Sequence, residues 1–189
     1  DCGRLGECSP LGCGYVTLIA SALKELMPDG WPLVINRGVS GDRTTDLAER
    51  FARDVLTLSP TVVVFYIGVN DVWRAFDGFA QPVDAETFGN QLRTMVESLP
   101  AGCKTLFVEP FLDEPKSEDP FRKLLAGHQK ALWRLSKELE STVVPLQKLF
   151  DQARSTGQQL TTDRVHPNEA GHSLIADSVL AALLDESKA

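Results

Sequence analysis

The order of elements along this 189-residue chain predicts an α/β fold, a doubly wound three-layer α/β/α sandwich around a parallel sheet. Three observations carry that expectation. Stretches of helical period alternate with short apolar runs. The strongest run, Thr61-Val62-Val63-Val64-Phe65-Tyr66-Ile67, is β-branched and apolar on both faces, as central parallel strands are. The unusual polar and glycine-rich stretches come directly after such runs, where open parallel sheets keep their chemistry. The length suits one domain, residues 1–189, with a substantial core.

The first elements are read from the N-terminus. Residues 1–13 are rich in Gly, Cys and Pro and read as a loop. From Gly14, the spacing of Tyr15, Leu18, Ile19, Ala22, Leu23 and Leu26 predicts a helix that stops at Met27-Pro28-Asp29-Gly30. Pro32-Leu33-Val34-Ile35-Asn36 reads as a buried strand. After a Gly-rich turn over 37–42, Thr44 or Thr45 caps a helix whose Leu47, Phe51, Val55 and Leu58 face the core, and Ser59-Pro60 ends it. The 61–67 strand leads into Gly68-Val69-Asn70-Asp71 and a loop to about Asp84. A helix over 85–98, a strand over 105–108 and an acidic loop over 109–119 come next. A long helix over 121–139, a weak strand over 143–146, a short helix over 149–153 and a closing helix over 167–184 complete the chain.

Composition narrows the function. Apolar and charged contents of 43% and 24% are ordinary for a globular protein. A formal net charge of −7 argues against a nucleic-acid partner and against an anionic membrane surface. No apolar run is long enough to span a bilayer. Of the four cysteines, Cys2, Cys8 and Cys13 crowd the N-terminus and Cys103 stands apart. Their spacing lacks the second pair that a zinc site needs, so no metal is expected. Free thiols and a cytoplasmic location are the expectation, with a disulfide among the first three as the alternative.

The chemistry centres on Thr162-Asp163-Arg164-Val165-His166-Pro167. An Asp three residues before a His can hold one imidazole nitrogen and leave the other as a general base. The plainer reading is a loop Asp that caps the next helix beside a surface His. Gly38-Val39-Ser40-Gly41 puts two glycines just past a strand end, where a backbone N–H can come close to a ligand. Asn70 offers an amide donor at the same sheet edge. The two donors together make an oxyanion hole, whereas each alone fits a tight turn or an Asx-turn. Ser40 carries half of a nucleophile elbow, but the second glycine falls one place early. Ser9 has no strand before it, and His128 and His172 read as surface or packing residues.

These blocks resemble the SGNH (GDSL) hydrolases. Asn36 to Gly41, Gly68 to Asp71 and Asp163 to His166 look like that family's second, third and fifth blocks, in order. Within the family, three stretches look most like bacterial acetylxylan esterases: Asp71 to Asp77, Glu118-Asp119-Pro120, and Asp163 to Pro167 with Ala170-Gly171-His172 just beyond. The resemblance implies a flavodoxin-like sheet of order 2-1-3-4-5. It implies Asp163 and His166 as triad members and Gly41 and Asn70 as oxyanion donors. It also implies an apolar wall for sugar or acyl group at Trp73 and Phe76, the alternative being that these rings pack the loop.

The family's first block, Gly-Asp-Ser, is not found. Asp1-Cys2-Gly3-Arg4 resembles the residues immediately C-terminal to that block in the family. The expectation is therefore an N-terminally truncated domain whose first strand and nucleophilic serine lie before residue 1. Without that strand, runs 32–36 and 61–67 are expected not to ladder to each other. The implied activity is a cofactor-free serine esterase acting on a small ester or acetylated sugar, inactive without its serine. A lipase, lysophospholipase or aryl esterase is the runner-up, and a non-catalytic carbohydrate-binding relative the rival. A homo-oligomer is left open.

Overall fold

The structure is a computed structural model that describes residues 10–185. In chain order the helices and strands are α1 (Tyr15–Leu26), α2 (Thr44–Asp54), β1 (Val62–Tyr66), α3 (Val69–Asp77), α4 (Ala85–Glu97), β2 (Lys104–Val108), α5 (Pro120–Glu138), β3 (Thr142–Val144), α6 (Leu146–Ser155) and α7 (Glu169–Leu184). The chain divides into two compact units, Gly41–Asp151 and Asp1–Ser40 with Gln152–Ala189.

The Gly41–Asp151 unit holds the sheet. Its strands run parallel in the order β1-β2-β3, with Val62 opposite Lys104 and Leu106 opposite Thr142. Helices form the crossovers, as parallel strands require. The core packs Phe51, Phe65, Phe88, Leu92, Phe107 and Leu132 into one cluster. Each such side chain stabilises the fold by about 1.5–3 kcal/mol on burial. Asp84 caps α4 by accepting the Glu86 and Thr87 N–H groups, and Asp119 caps α5 in the same way.

The parallel sheet with flanking helices is as expected, and four local expectations are corrected. Residues 32–36 are not a buried strand. They form no ladder among the described residues, and Leu33 is 84% exposed. An extended run without a neighbour to accept its N–H groups has nothing to hold it as strand. β1 is not apolar-buried on both faces: Val63 and Phe65 join the core, while Val62 and Val64 are exposed. Residues 69–77 are helix rather than loop. Val69, Val72, Trp73 and Phe76 recur at helical spacing, and Gly68 opens the turn at φ 120°, where a Cβ would come within 2.8 Å of the Phe88 ring. The start of α2 is fixed not by a threonine hydroxyl but by Asp46, whose carboxylate reaches back to the Arg43 N–H at 2.9 Å and to the Arg43 guanidinium at 2.8 Å.

In the other unit α1 packs on α7. The buried faces are Ile19 and Leu23 on the first and Ile175, Ala176 and Val179 on the second. Asn168 caps α7 by accepting the Gly171 N–H at 3.0 Å. The Tyr15 N–H donates to His172 Nδ1 at 3.3 Å, and the two rings stack. Burial lowers the His172 pKa, so this ring packs as a neutral acceptor. The expectation of free thiols is corrected as well: Cys13 is in a disulfide, whose partner lies outside the described residues, while Cys103 is free. Disulfides persist in oxidising surroundings, so the cysteines no longer support a cytoplasmic location.

Candidate active site

The Asp163–His166 turn closes on itself. Thr161 and Pro167 form an antiparallel bridge, and the Thr162 N–H donates to the His166 carbonyl at 2.9 Å. Arg164 takes up the reversal at φ 82°, a costly conformation for a residue with a Cβ. Asp163 Oδ1 accepts the Val165 N–H at 3.2 Å and the His166 N–H at 2.9 Å. Asp163 Oδ2 meets His166 Nδ1 at 2.7 Å. One carboxylate therefore holds both the turn and, through Nδ1, the imidazole ring. Desolvation pushes the Asp163 carboxyl up, but the two N–H groups and the imidazole outweigh it and keep its pKa below the usual range.

The second cluster lies in the Gly41–Asp151 unit, around the loop between Gly41 and α2. Gly41 sits at φ 88°, and its N–H makes no hydrogen bond among the described residues. Asn70, in the first turn of α3, donates one Nδ2 hydrogen to the Asp42 carbonyl at 3.1 Å. It bonds the neighbouring loop and not its own backbone, so it is no Asx-turn. One turn on, Arg74 Nη2 donates to the Gly41 carbonyl at 2.9 Å, and Arg74 Nη1 pairs with Asp77. The structure thus brings Gly41 and Asn70 to one loop, as it brings Asp163 and His166 to another.

Other side chains complete the loop. Arg50 holds the Asp42 carboxylate at 2.7 Å and Asp54 at 3.1 Å. Asp71, fully buried, accepts the Thr44 N–H on both oxygens at 3.1 Å, and burial raises its pKa. Sequence reasoning does not single out Arg50, Arg74 or Asp77. A signal is nonetheless present: Asn70, Arg74 and Asp77 lie at i, i+4 and i+7 on a stretch of helical period.

Trp73 packs edge-on to Phe121 at 6.1 Å and Phe76 stacks on the same ring at 5.2 Å, with Phe76 half exposed. Ser40 has no strand before it, which removes it from any nucleophile elbow. Ser9 lies outside the described residues. His128 is a packing residue, its Nε2 at 2.9 Å from the Val83 carbonyl and its ring against Phe88. A groove of ≈ 500 Å³ is lined by Glu109, Trp133, Lys130 and Lys137 among others, and none of the residues above lines it. Glu109 there already accepts the Trp133 Nε1–H at 2.7 Å and the Gln147 N–H at 3.1 Å, which suits structure better than catalysis. Among the described residues no cluster of three or more His, Cys, Asp or Glu could hold a metal ion, and no helix is long and apolar enough to cross a membrane.

The family model described as GDSL-like lipase/acylhydrolase matches residues 4–174. An acetylxylan esterase from Geobacillus stearothermophilus is 32% identical over 191 residues, covering 95% of this chain and 87% of its own. The crystal structure of Axe2, an acetylxylan esterase from the same organism, superposes with a TM-score of 0.89 at 31% identity, over 98% of this chain and 90% of that one. LAE5, an α/β hydrolase from the metagenome of Lake Arreo, superposes with a TM-score of 0.83 at 33% identity, over 89% of this chain and 80% of that one. Solved structures of Axe2 include catalytic mutants in which a serine, an aspartate or a histidine is replaced by alanine, the last two three positions apart.

Proposed function

The chain belongs to the GDSL-like lipase/acylhydrolase family, a family of carboxylic ester hydrolases, and we propose that it removes acetyl groups from acetylated xylan or xylo-oligosaccharides. The observation that carries the mechanism is the 2.7 Å contact of Asp163 Oδ2 with His166 Nδ1. It repeats the aspartate-to-histidine spacing of the Axe2 catalytic mutants. The acetylated-carbohydrate reading is supported by the acetylxylan esterases that this chain resembles over nearly its whole length.

In this mechanism a serine hydroxyl attacks the acetyl carbonyl, and Ser40 is not that serine. His166 Nε2 takes the hydroxyl proton while Asp163 holds the ring and stabilises the imidazolium. The carbonyl oxygen, now an anion, accepts the Gly41 N–H and the second Asn70 Nδ2–H. On collapse His166 returns its proton to the departing sugar oxygen, and the acetyl group stays on the serine. Water, activated by the same imidazole, then releases acetate. No step uses a cofactor. Phe76 and Trp73, backed by Phe121, form an apolar wall for acetyl group or sugar ring.

The test is acetate release from acetylated xylo-oligosaccharides by the full-length protein, run beside short and long acyl esters. Faster turnover of the acetylated sugar is expected. Equal or better turnover of long-chain esters or lysophospholipids moves the enzyme to the lipase side of its family. Sugar binding without acetate release makes it a non-catalytic relative.

A further inference from the structure

We propose that Arg74 is a positioning residue for the oxyanion donors, holding the Gly41 peptide and Asn70 in register through its bond to the Gly41 carbonyl; this rests on the oxyanion role proposed above. The guanidinium is placed to act as a clamp. Nη2 reaches the Gly41 carbonyl at 2.9 Å and Nη1 pairs with Asp77, so one planar group ties the loop to the last turn of α3. Its side chain is only 17% exposed and that of Asp77 14%, so the charge faces the loop rather than solvent.

Geometry gives the clamp its consequence. The carbonyl held by Arg74 belongs to the peptide between Gly41 and Asp42, next along the chain from the N–H that Gly41 offers the oxyanion. Glycine at φ 88° has no Cβ to restrain it, so that N–H stays aimed only while its surroundings hold it. Arg74 fixes the Gly41 carbonyl, and Asn70 fixes the next carbonyl, that of Asp42, at 3.1 Å. The two side chains stand one helical turn apart on α3 and grip successive peptides, so a shift of one donor moves the other. A Cβ added to Gly41 would lie 3.4 Å from Arg74 Nη2, in van der Waals contact with the guanidinium.

Arg74→Met keeps the side chain's bulk and removes the clamp. In the full-length enzyme it is expected to lower kcat on an acetyl ester by about 10- to 100-fold, because donors moved by under an ångström lose much of an interaction whose full loss costs about 100- to 1,000-fold. KM should stay within about twofold, since the clamp acts on the transition state. A merely structural arginine would not show two further readouts. Added guanidinium should restore part of the activity of Arg74→Ala, and a boronic acid mimic of the tetrahedral intermediate should bind Arg74→Met more weakly by the same factor as kcat falls. Asp77→Asn, which keeps the arginine but loosens it, should show a smaller loss of the same kind. Unchanged kcat in a folded Arg74→Met overturns the proposal, as does a loss confined to KM or one that guanidinium does not relieve. If the wild-type enzyme itself releases no acetate, the proposed function fails instead, and the two failures are told apart by that control.

Discussion

The two loops that carry the proposed catalytic groups are held by opposite means. The Asp163–His166 turn is held by contacts local in sequence. Its carboxylate binds residues two and three positions on, and both side chains are about half exposed. The Gly41–Thr44 loop is held from a distance, by Asn70 at a separation of 28 residues, Arg74 at 33 and Asp71 at 27. A base has to be oriented at one atom, which a neighbour in sequence can do. An oxyanion hole needs two donors fixed to within an ångström, and that takes a buried scaffold. The local turn should therefore fail by losing chemistry, and the scaffolded loop by losing geometry and stability together.

Substitutions separate these modes. The largest effect is expected at His166→Ala, which should lower kcat by about 10⁴-fold or more with little change in thermal stability, since the ring is half exposed. Asp163→Asn should cost nearly as much, about 10⁴-fold, because its amide keeps an acceptor for the turn while presenting a donor to His166 Nδ1 and so favours the wrong tautomer. Steady-state kinetics beside thermal melts check both.

Asn70→Ala should lower kcat by about 100- to 1,000-fold. It should also soften the loop, because the Asp42 carbonyl loses its partner. Asp71→Ala should act mainly on stability. It leaves the Thr44 N–H unpaired in a buried site, at a cost of about 1–3 kcal/mol by denaturant unfolding.

The smallest effect is in acid. Asp46 has a pKa lowered from 3.8 to about 2, chiefly by its hydrogen bond to the Arg43 guanidinium. A lowered carboxyl contributes stability that is present above its unfolded pKa and lost as pH falls through the folded one. The N-terminal turn of α2 should thus loosen between pH 3.8 and about 2, and Asp46→Asn should flatten that part of the unfolding profile. Asp163 is also lowered, so protonation weakens its turn in the same direction, but half exposure makes the contribution to stability smaller.

The same contrast explains what is legible in the sequence. Asp163 and His166 meet as their three-residue spacing suggests, because the contact is local. β1, β2 and the helices α1, α4 and α5 are visible in period and composition. Residues 69–77 do not read as helix, because Gly68, Asn70 and Asp71 are turn formers and outweigh the recurrence of Val69, Val72, Trp73 and Phe76. Without that helix, Arg74 has no place on the face of Asn70. Residues 32–36 fail for the reverse reason: an apolar run states a preference for burial, but a strand also needs a neighbour, which no property of the run itself supplies. Trp73 admits two readings from sequence, and its edge-on contact with Phe121 shows the packing one at work.

In the proposed mechanism the base on one loop and the donors on the other act on a single carbonyl. A crystal structure of the full-length enzyme with a boronic acid or phosphonate mimic of the tetrahedral intermediate tests it most directly. One oxygen of the mimic should lie about 3 Å from both the Gly41 nitrogen and Asn70 Nδ2, with His166 Nε2 within hydrogen-bond reach of another oxygen on the same centre. A His166 ring more than about 10 Å from Asn70 would leave no atom that both could reach, and the two could not serve one active site.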